Sequence, residues 1–306
     1  MRRLIAFALM SLAAPAAAAP FTIVETGEGF AHLQDALMAK RGQDFTVLIA
    51  PGVYRECAIQ QAGRVTFKAA EPGTAIFEGA CEGKAALVLR GAGSVVDGLV
   101  FRNIRVGDGN GAGIRIEIGD LTVRNAMFLD SQEGILGATG DASRVTIERS
   151  TFSGLGQCDE TPDCAHSVYL ANTGTITITH SRFERGRGGH YVKLRAPRVA
   201  IDDNSFDDSQ GRKTNYAIDL PEGGTGEILR NTFVQGPNKE NWTGVIVVSA
   251  EQRKYPATGL RVADNIATLA PGQKNSPAFV ANVSGDRLAL GANRLGPGVR
   301  AYEERH

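Results

Sequence analysis

Three short segments carry most of the chemically capable side chains. His166-Ser-Val-Tyr-Leu170, His190-Tyr-Val-Lys-Leu-Arg195 and Tyr216-Ala-Ile-Asp-Leu220 align without gaps. Val168, Val192 and Ile218 then form one apolar column, and Leu170, Leu194 and Leu220 another. Side chains alternate across a strand, so with these columns inward, Tyr169, Lys193 and Asp219 form an outward column on rungs about 4.8 Å apart. Arg195 shares that face, two residues and roughly 6–7 Å beyond Lys193. His166, His190 and Tyr216 have inward parity but stand at strand starts, where a corner can turn them either way.

An outward ladder of Lys193, Asp219 and Arg195 is also what a solvated surface looks like, and exposed it would add little stability. The meeting of Tyr169, His190, Lys193, Arg195 and Asp219 on three consecutive segments favours a site. A Lys and an Arg on one face suit β-elimination from a uronic-acid polymer. There the proton beside a carboxylate becomes removable once a cation neutralises that carboxylate and a base stands near. Lys193 is the expected base, Arg195 the bidentate carboxylate clamp, and Tyr169 or His190 the group serving the leaving oxygen. Asp219 opposes a neutral lysine unless it pairs with Arg195 instead. Expected substrate contacts are Asp219, His166, Tyr191 and Tyr216, joined by Glu251 and Trp242 from a longer excursion beside the same face. Trp242, the one tryptophan, is read either as a sugar-stacking platform or as loop packing.

Such a face needs elements that stack. A strand ending in Asn or Ser recurs at Leu99–Asn103, Leu121–Asn125, Val145–Ser150, Ile176–Ser181, Val199–Asn204, Ile228–Asn231, Leu260–Asn265 and Leu288–Asn293. The intervals run from 22 to 34 residues, and most are followed by an apolar residue: Phe128, Phe152, Phe183, Phe206, Phe233 or Leu295. Units this small bury an apolar face only by stacking on their neighbours, and unequal intervals become external loops. The fold expected is an all-β parallel β-helix, with the Asn/Ser column as a structural corner in which side chains satisfy one another. Phe30, Leu33, Ala36, Leu37 and Ala39 have helical spacing, with Gly42 as a stop, and predict an amphipathic helix capping the open end. The expected organisation is an N-terminal strand and capping helix over 19–44 and the β-helix over 45–306.

The first 18 residues read as a cleavable secretory signal: Arg2 and Arg3, an apolar run from Leu4 to Leu12, then small residues ending near Ala18. Its removal leaves the 33 acidic side chains in excess of the basic ones by two, which gives no basic face for nucleic acid. No later apolar run approaches membrane-spanning length, so a soluble periplasmic or secreted monomer is expected, without a membrane partner. Four cysteines in an exported chain predict two disulfides. Cys158 and Cys164 would clip one loop, and Cys57 and Cys81, 24 apart, would meet on adjacent coils. Zinc ligation lacks a second CxxC or HxxxH unit.

The opening helix, the segment Phe45-Thr-Val-Leu-Ile-Ala-Pro-Gly-Val-Tyr-Arg55 and the Asn-bearing coils resemble the pectin lyase-like superfamily of right-handed parallel β-helices, over nearly the whole mature chain. The resemblance implies the fold; within that superfamily stand lyases, hydrolases, epimerases, esterases and inert stalks. The Lys-x-Arg pair at Lys193 and Arg195 resembles β-helical polysaccharide lyases that use a lysine base beside an arginine. Many of those hold calcium with clustered acids. No such cluster lies on this column, so no cofactor is assigned and Ca2+ stays an alternative. The pairs Asp202-Asp203 and Asp207-Asp208 are similar to the acids of β-helical glycoside hydrolases. The Gly-His-Gly and Arg-Ile-Lys motifs of those enzymes are broken here by Gly189-His190-Tyr191 and Leu194-Arg195-Ala196. The function expected is therefore a secreted lyase acting on an acidic polysaccharide. The alternatives are a uronate C5-epimerase and a non-catalytic carbohydrate-binding or structural β-helix.

Overall fold

The computed structural model describes residues 19–305; the signal-peptide expectation for 1–18 lies outside the described residues. Nearly all strands pair in parallel with the strand one coil earlier and the strand one coil later. They form three stacked faces. The first, which carries the three segments above, runs through Ala85–Leu89, Ala112–Ile116, Val192–Arg195, Ile218–Leu220 and Gly244–Val248. The second includes Asp120–Arg124 and Arg198–Asp202, and the third is a ten-stranded sheet. The long strands Glu133–Glu148 and Val168–Thr179 bend through the corner and belong to the first two faces at once.

Alternation decides what fills the interior. In Asp120–Arg124 and Arg198–Asp202 every second residue is buried, and these apolar positions merge into one continuous core. Within the third face Phe77, Phe101, Phe128, Phe152, Phe183, Phe206 and Phe233 lie one above another. Their ring centroids are 4.7–6.0 Å apart. The spacing is set by the strands, and offset stacking adds about 0.5–1.5 kcal/mol per pair beyond burial. The N-terminal end is closed by Phe21–Ile23, which pairs antiparallel with Phe45–Ile49. The helix Leu33–Ala39 buries Leu33, Ala36 and Leu37 there. No helix among the described residues is long and apolar enough to cross a membrane.

The corner column is a hydrogen-bonded ladder. Asn204, Asn231 and Asn265 each donate from Nδ2 to Oδ1 of the next asparagine at 2.9–3.1 Å, ending on Asn293. Each also donates to a backbone carbonyl of the preceding coil, and Ser181 and Ser150 continue the column upward. Two expected members lie elsewhere. Asn125 sits one residue early, at φ +52°, the corner position that Arg149, His180, Asp203, Arg230 and Asp264 fill in later coils. Asn103 follows the strand Leu99–Arg102, which pairs with Phe77 and Phe128 on the third face, so it turns a different corner. Both are asparagines because that residue tolerates left-handed backbone, and the motif Leu-x-x-Arg-Asn looks alike at either corner.

Both disulfides are formed as expected, Cys57–Cys81 between neighbouring coils and Cys158–Cys164 within one loop.

Candidate active site

The first face presents its outward column in the order Arg115, Leu136, Tyr169, Lys193, Asp219, each paired with the next in register. A second column begins at the strand starts, where the backbone turns these side chains away from the core: Glu133, His166, His190, Tyr216. Gly189 makes this possible before His190. It has φ +59°, and a Cβ there would lie 2.1 Å from the carbonyl oxygen of Ala165 and 2.5 Å from Nδ1 of His166, so only glycine fits. The two columns floor a cleft of about 580 Å³ that Glu133, His166, Tyr169, His190 and Lys193 line. Its wall is the disulfide loop, with Asp163 and Cys164 facing in and Cys158 Sγ accepting the N–H of Gly189 at 3.2 Å.

Tyr169, Lys193 and Arg195 form one connected group. Arg195 donates from Nε to the Tyr169 hydroxyl at 2.9 Å and from Nη1 to Glu222 at 2.9 Å, and from Nη2 to Glu251. Lys193 Nζ donates to the other oxygen of Glu251 at 2.7 Å and lies 5.5 Å from the Tyr169 ring centroid. Burial works against the Arg195 cation, but its bonds to Glu251, Tyr169 and Glu222 hold it more firmly protonated than usual. Burial likewise works against the Glu251 anion, and the bonds from Lys193 and Arg195 win, lowering its pKa.

Beside this ionic group stand groups that burial pushes toward the neutral form. Asp219 is 2% exposed, and desolvation pushes its carboxyl up to about 7 despite Lys193 at 3.9 Å. His190 Nε2 lies 3.4 Å from Asp219, and burial takes its imidazole well below the ordinary range. His166 falls to about 3 for the same reason, reinforced by the charge of Lys193. The N–H of His190 donates to Nδ1 of His166 at 2.9 Å. That bond fixes the tautomer: the His166 proton is on Nε2, and the ring is a hydrogen-bond donor. Glu133 is 1% exposed and its carboxyl is pushed well up by burial, against a hydrogen bond from His166 N–H.

A profile for the right-handed β-helix region matches residues 85–257, more than half of the chain and the coils that carry the cleft. The chain belongs to the right-handed β-helix family. No curated protein sequence matches it. Among solved structures this β-helix is similar to an alginate lyase from Paenibacillus sp. str. FPU-7. The two are 16% identical with a TM-score of 0.67, over 89% of this chain and 94% of that one. A looser likeness, 9% identical with a TM-score of 0.43, is to a DFA-IIIase from Arthrobacter chlorophenolicus A6, over 87% of this chain and 86% of that one. At these identities the likeness concerns the fold.

On this β-helix most of the expected site residues converge. Tyr169, Lys193, His166 and His190 line the cleft; Arg195, Asp219 and Glu251 stand directly behind or beside them. The expected brace between Asp219 and Arg195 is replaced. Glu222 and Glu251 occupy the arginine fork, and with Tyr169 they engage three of its five N–H donors, so the clamp role expected of it competes with the protein's own carboxylates. Tyr191 is not a surface contact. It is 1% exposed in the core, with its hydroxyl donating to Asp208 at 2.8 Å: the corner that turns His190 outward also reverses Tyr191, which by strand alternation would share the outward face of Lys193. Tyr216 turns outward to pack near His190, 5.3 Å between centroids, but is buried in a small apolar cluster with Val247, Ala278 and Ala281. Trp242 is partly exposed and lies outside the cleft lining. Glu133, Arg115 and Glu222 went unread in the sequence. Glu133 stands two residues before Ile135, as His166 stands before Val168, so starting the strand alignment one coil earlier brings it into view. Glu222 has no comparable signal.

Proposed function

We propose that the protein is an exported polysaccharide lyase that cleaves an acidic, uronic-acid-containing chain by β-elimination in this cleft. The observation that carries the proposal is the placement of Tyr169 and Lys193 on adjacent rungs of an open cleft, with the Tyr169 oxygen already accepting from Arg195 at 2.9 Å. In the proposed step the neutral amine of Lys193, whose Nζ is held in place by Glu251 at 2.7 Å, takes the proton beside the uronate carboxylate. The electron pair forms the ring double bond, the bond to the leaving oxygen breaks, and Tyr169 gives that oxygen its proton. Arg195 donates to the phenol oxygen and stabilises the phenolate left behind. It is thus a positioning and electrostatic group, and His166 Nε2–H offers a donor to the substrate carboxylate.

A chain that unites this fold with such a cleft suits an extended polymer better than a compact substrate, and the structurally similar alginate lyase agrees with a uronate polymer. Two disulfides support a periplasmic or secreted location. The test is incubation with a panel of uronate polymers, following the ultraviolet absorbance of the unsaturated product. Absorbance that rises with the parent and vanishes in Lys193→Ala supports the lyase. Exchange of solvent deuterium into the polymer without absorbance identifies an epimerase. Binding with neither identifies a non-catalytic carbohydrate binder.

A further inference from the structure

The far end of the cleft holds two polar groups that the proposed elimination does not use. Arg115 and Glu133 both line it. Glu133 accepts the His166 N–H at 3.1 Å through one carboxylate oxygen. Its other oxygen is sealed from solvent without a hydrogen-bond partner, and so is Nε of Arg115. Among the described residues neither side chain takes part in an ion pair. Buried polar groups are almost always satisfied, and leaving one unmet is costly. Two unmet groups of opposite hydrogen-bonding character on one wall of an open cleft mark a place that a ligand completes.

The geometry points to a second sugar subsite here, in which Arg115 takes a uronate carboxylate and Glu133 the hydroxyls of the same or the neighbouring ring. This assignment deepens, and rests on, the reading of the cleft as a uronate-polymer site. Arg115 is three rungs from Lys193 along the register Arg115–Leu136–Tyr169–Lys193, a span of about 14 Å. A pyranose unit advances by about one rung, so a chain crossing the strands brings to Arg115 a sugar some three units from the one undergoing elimination. Leu136, 9% exposed, supplies an apolar floor between them. Guanidinium suits a carboxylate as a bidentate donor. The unpartnered Oε2 of Glu133 can accept from a hydroxyl, and burial, which pushes this carboxyl upward, favours the form that can also donate to one. The subsite therefore rewards chain length and acidic sugars.

The test measures affinity by calorimetry for a series of uronate oligomers, from dimer to hexamer, with neutral cello-oligosaccharides as controls. Lys193→Ala protein is used to prevent turnover, alone and with Arg115→Ala, Arg115→Lys or Glu133→Gln added. Initial rates over the same series on chains retaining Lys193 complete it. Affinity should climb with length, and Arg115→Ala should weaken the hexamer on the order of tenfold or more while affecting the dimer least. Arg115→Lys should recover part of the loss, and melting curves separate a local effect from misfolding. Glu133→Gln, which preserves shape, should lower hexamer affinity without flattening the charge preference. Hexamer affinity unchanged by Arg115→Ala, an equal loss at every length, or neutral oligomers binding equally well would overturn the subsite. Cleavage with an unaltered length profile removes the subsite and keeps the lyase. Arg115-dependent binding without cleavage does the reverse.

Discussion

At the scale of single residues, neighbouring groups of similar type are driven apart by surroundings. Asp219 and Glu251 both lie within 4 Å of Lys193. Burial raises the first to about 7, whereas hydrogen bonds from Lys193 and Arg195 overcome partial burial and lower the second. Lys193→Ala should abolish turnover of any uronate polymer and shift stability by only about 1 kcal/mol, since its ion pair faces a half-exposed partner. Full activity in that variant would end its assignment as the base. Arg195→Lys keeps the charge but cannot serve Tyr169, Glu222 and Glu251 together, so kcat should fall with little change in KM. The sign of the pH effect at Asp219 follows from its raised pKa. Between its ordinary value and about 7 the folded chain binds a proton that the unfolded chain does not, so this group stabilises at low pH and ceases to as pH rises through 7. The depressed pKa values of His166 and His190 act oppositely, withdrawing stability as pH falls below about 6.5. Asp219→Asn should therefore raise Tm relative to the parent more at pH 8 than at pH 5, read by calorimetric melting at the two values; an equal shift at both would contradict a buried, titrating Asp219.

At the scale of elements, strand alternation and corner chemistry do most of the specifying. The ladder through Asn204, Asn231 and Asn265 satisfies each inward amide. Asn231→Ala would strand the Asn204 N–H, which now meets Asn231 Oδ1 at 3.0 Å, and break the ladder bond from Asn204 Nδ2, at a cost of about 2–3 kcal/mol. Asn125→Ala, at the exposed left-handed position, should cost about 1 kcal/mol. Chemical denaturation of the two variants checks the order; equal losses would mean that the ladder is not what holds this corner. The two columns were legible together but not apart, because Asn suits both the ladder and the left-handed residue before it. The loop closed by Cys158–Cys164 has a different duty. Its closure is worth about 2 kcal/mol by chain entropy, yet Cys164 lines the cleft and Cys158 accepts from Gly189. Cys158→Ser with Cys164→Ser should therefore raise KM for a polymer by more than the small loss of Tm would imply.

At the scale of the whole molecule, stacked coils with one short helix among the described residues should give a circular dichroism spectrum dominated by β-structure, and a helical spectrum would contradict the fold. Apolar positions from the N-terminal cap to Leu288 belong to one core cluster, so faults introduced far from the cleft can still loosen it by disturbing the stack. The site is a property of this stacking. Tyr169, Lys193 and Asp219 are each 24 to 26 residues apart in sequence but successive rungs in space.

The amino-acid sequence by itself determined the coil, its aromatic column and the outward parity of Tyr169, Lys193, Arg195 and Asp219, because a period of two within strands and a recurring corner are local rules. It also determined which cysteines could meet, since Cys57 and Cys81 are about one coil apart. The tertiary structure alone decided what those rules leave free. It decided that the corners turn His166 and His190 outward, the second at Gly189, and send Tyr191 into the core, and that Glu222 and Glu251, arriving on separate loops, engage the Arg195 fork. It also decided how deeply Glu133 and Asp219 are buried, and hence how far burial pushes their carboxyls up. Loop paths and desolvation depend on every neighbouring coil at once, and no local spacing encodes them.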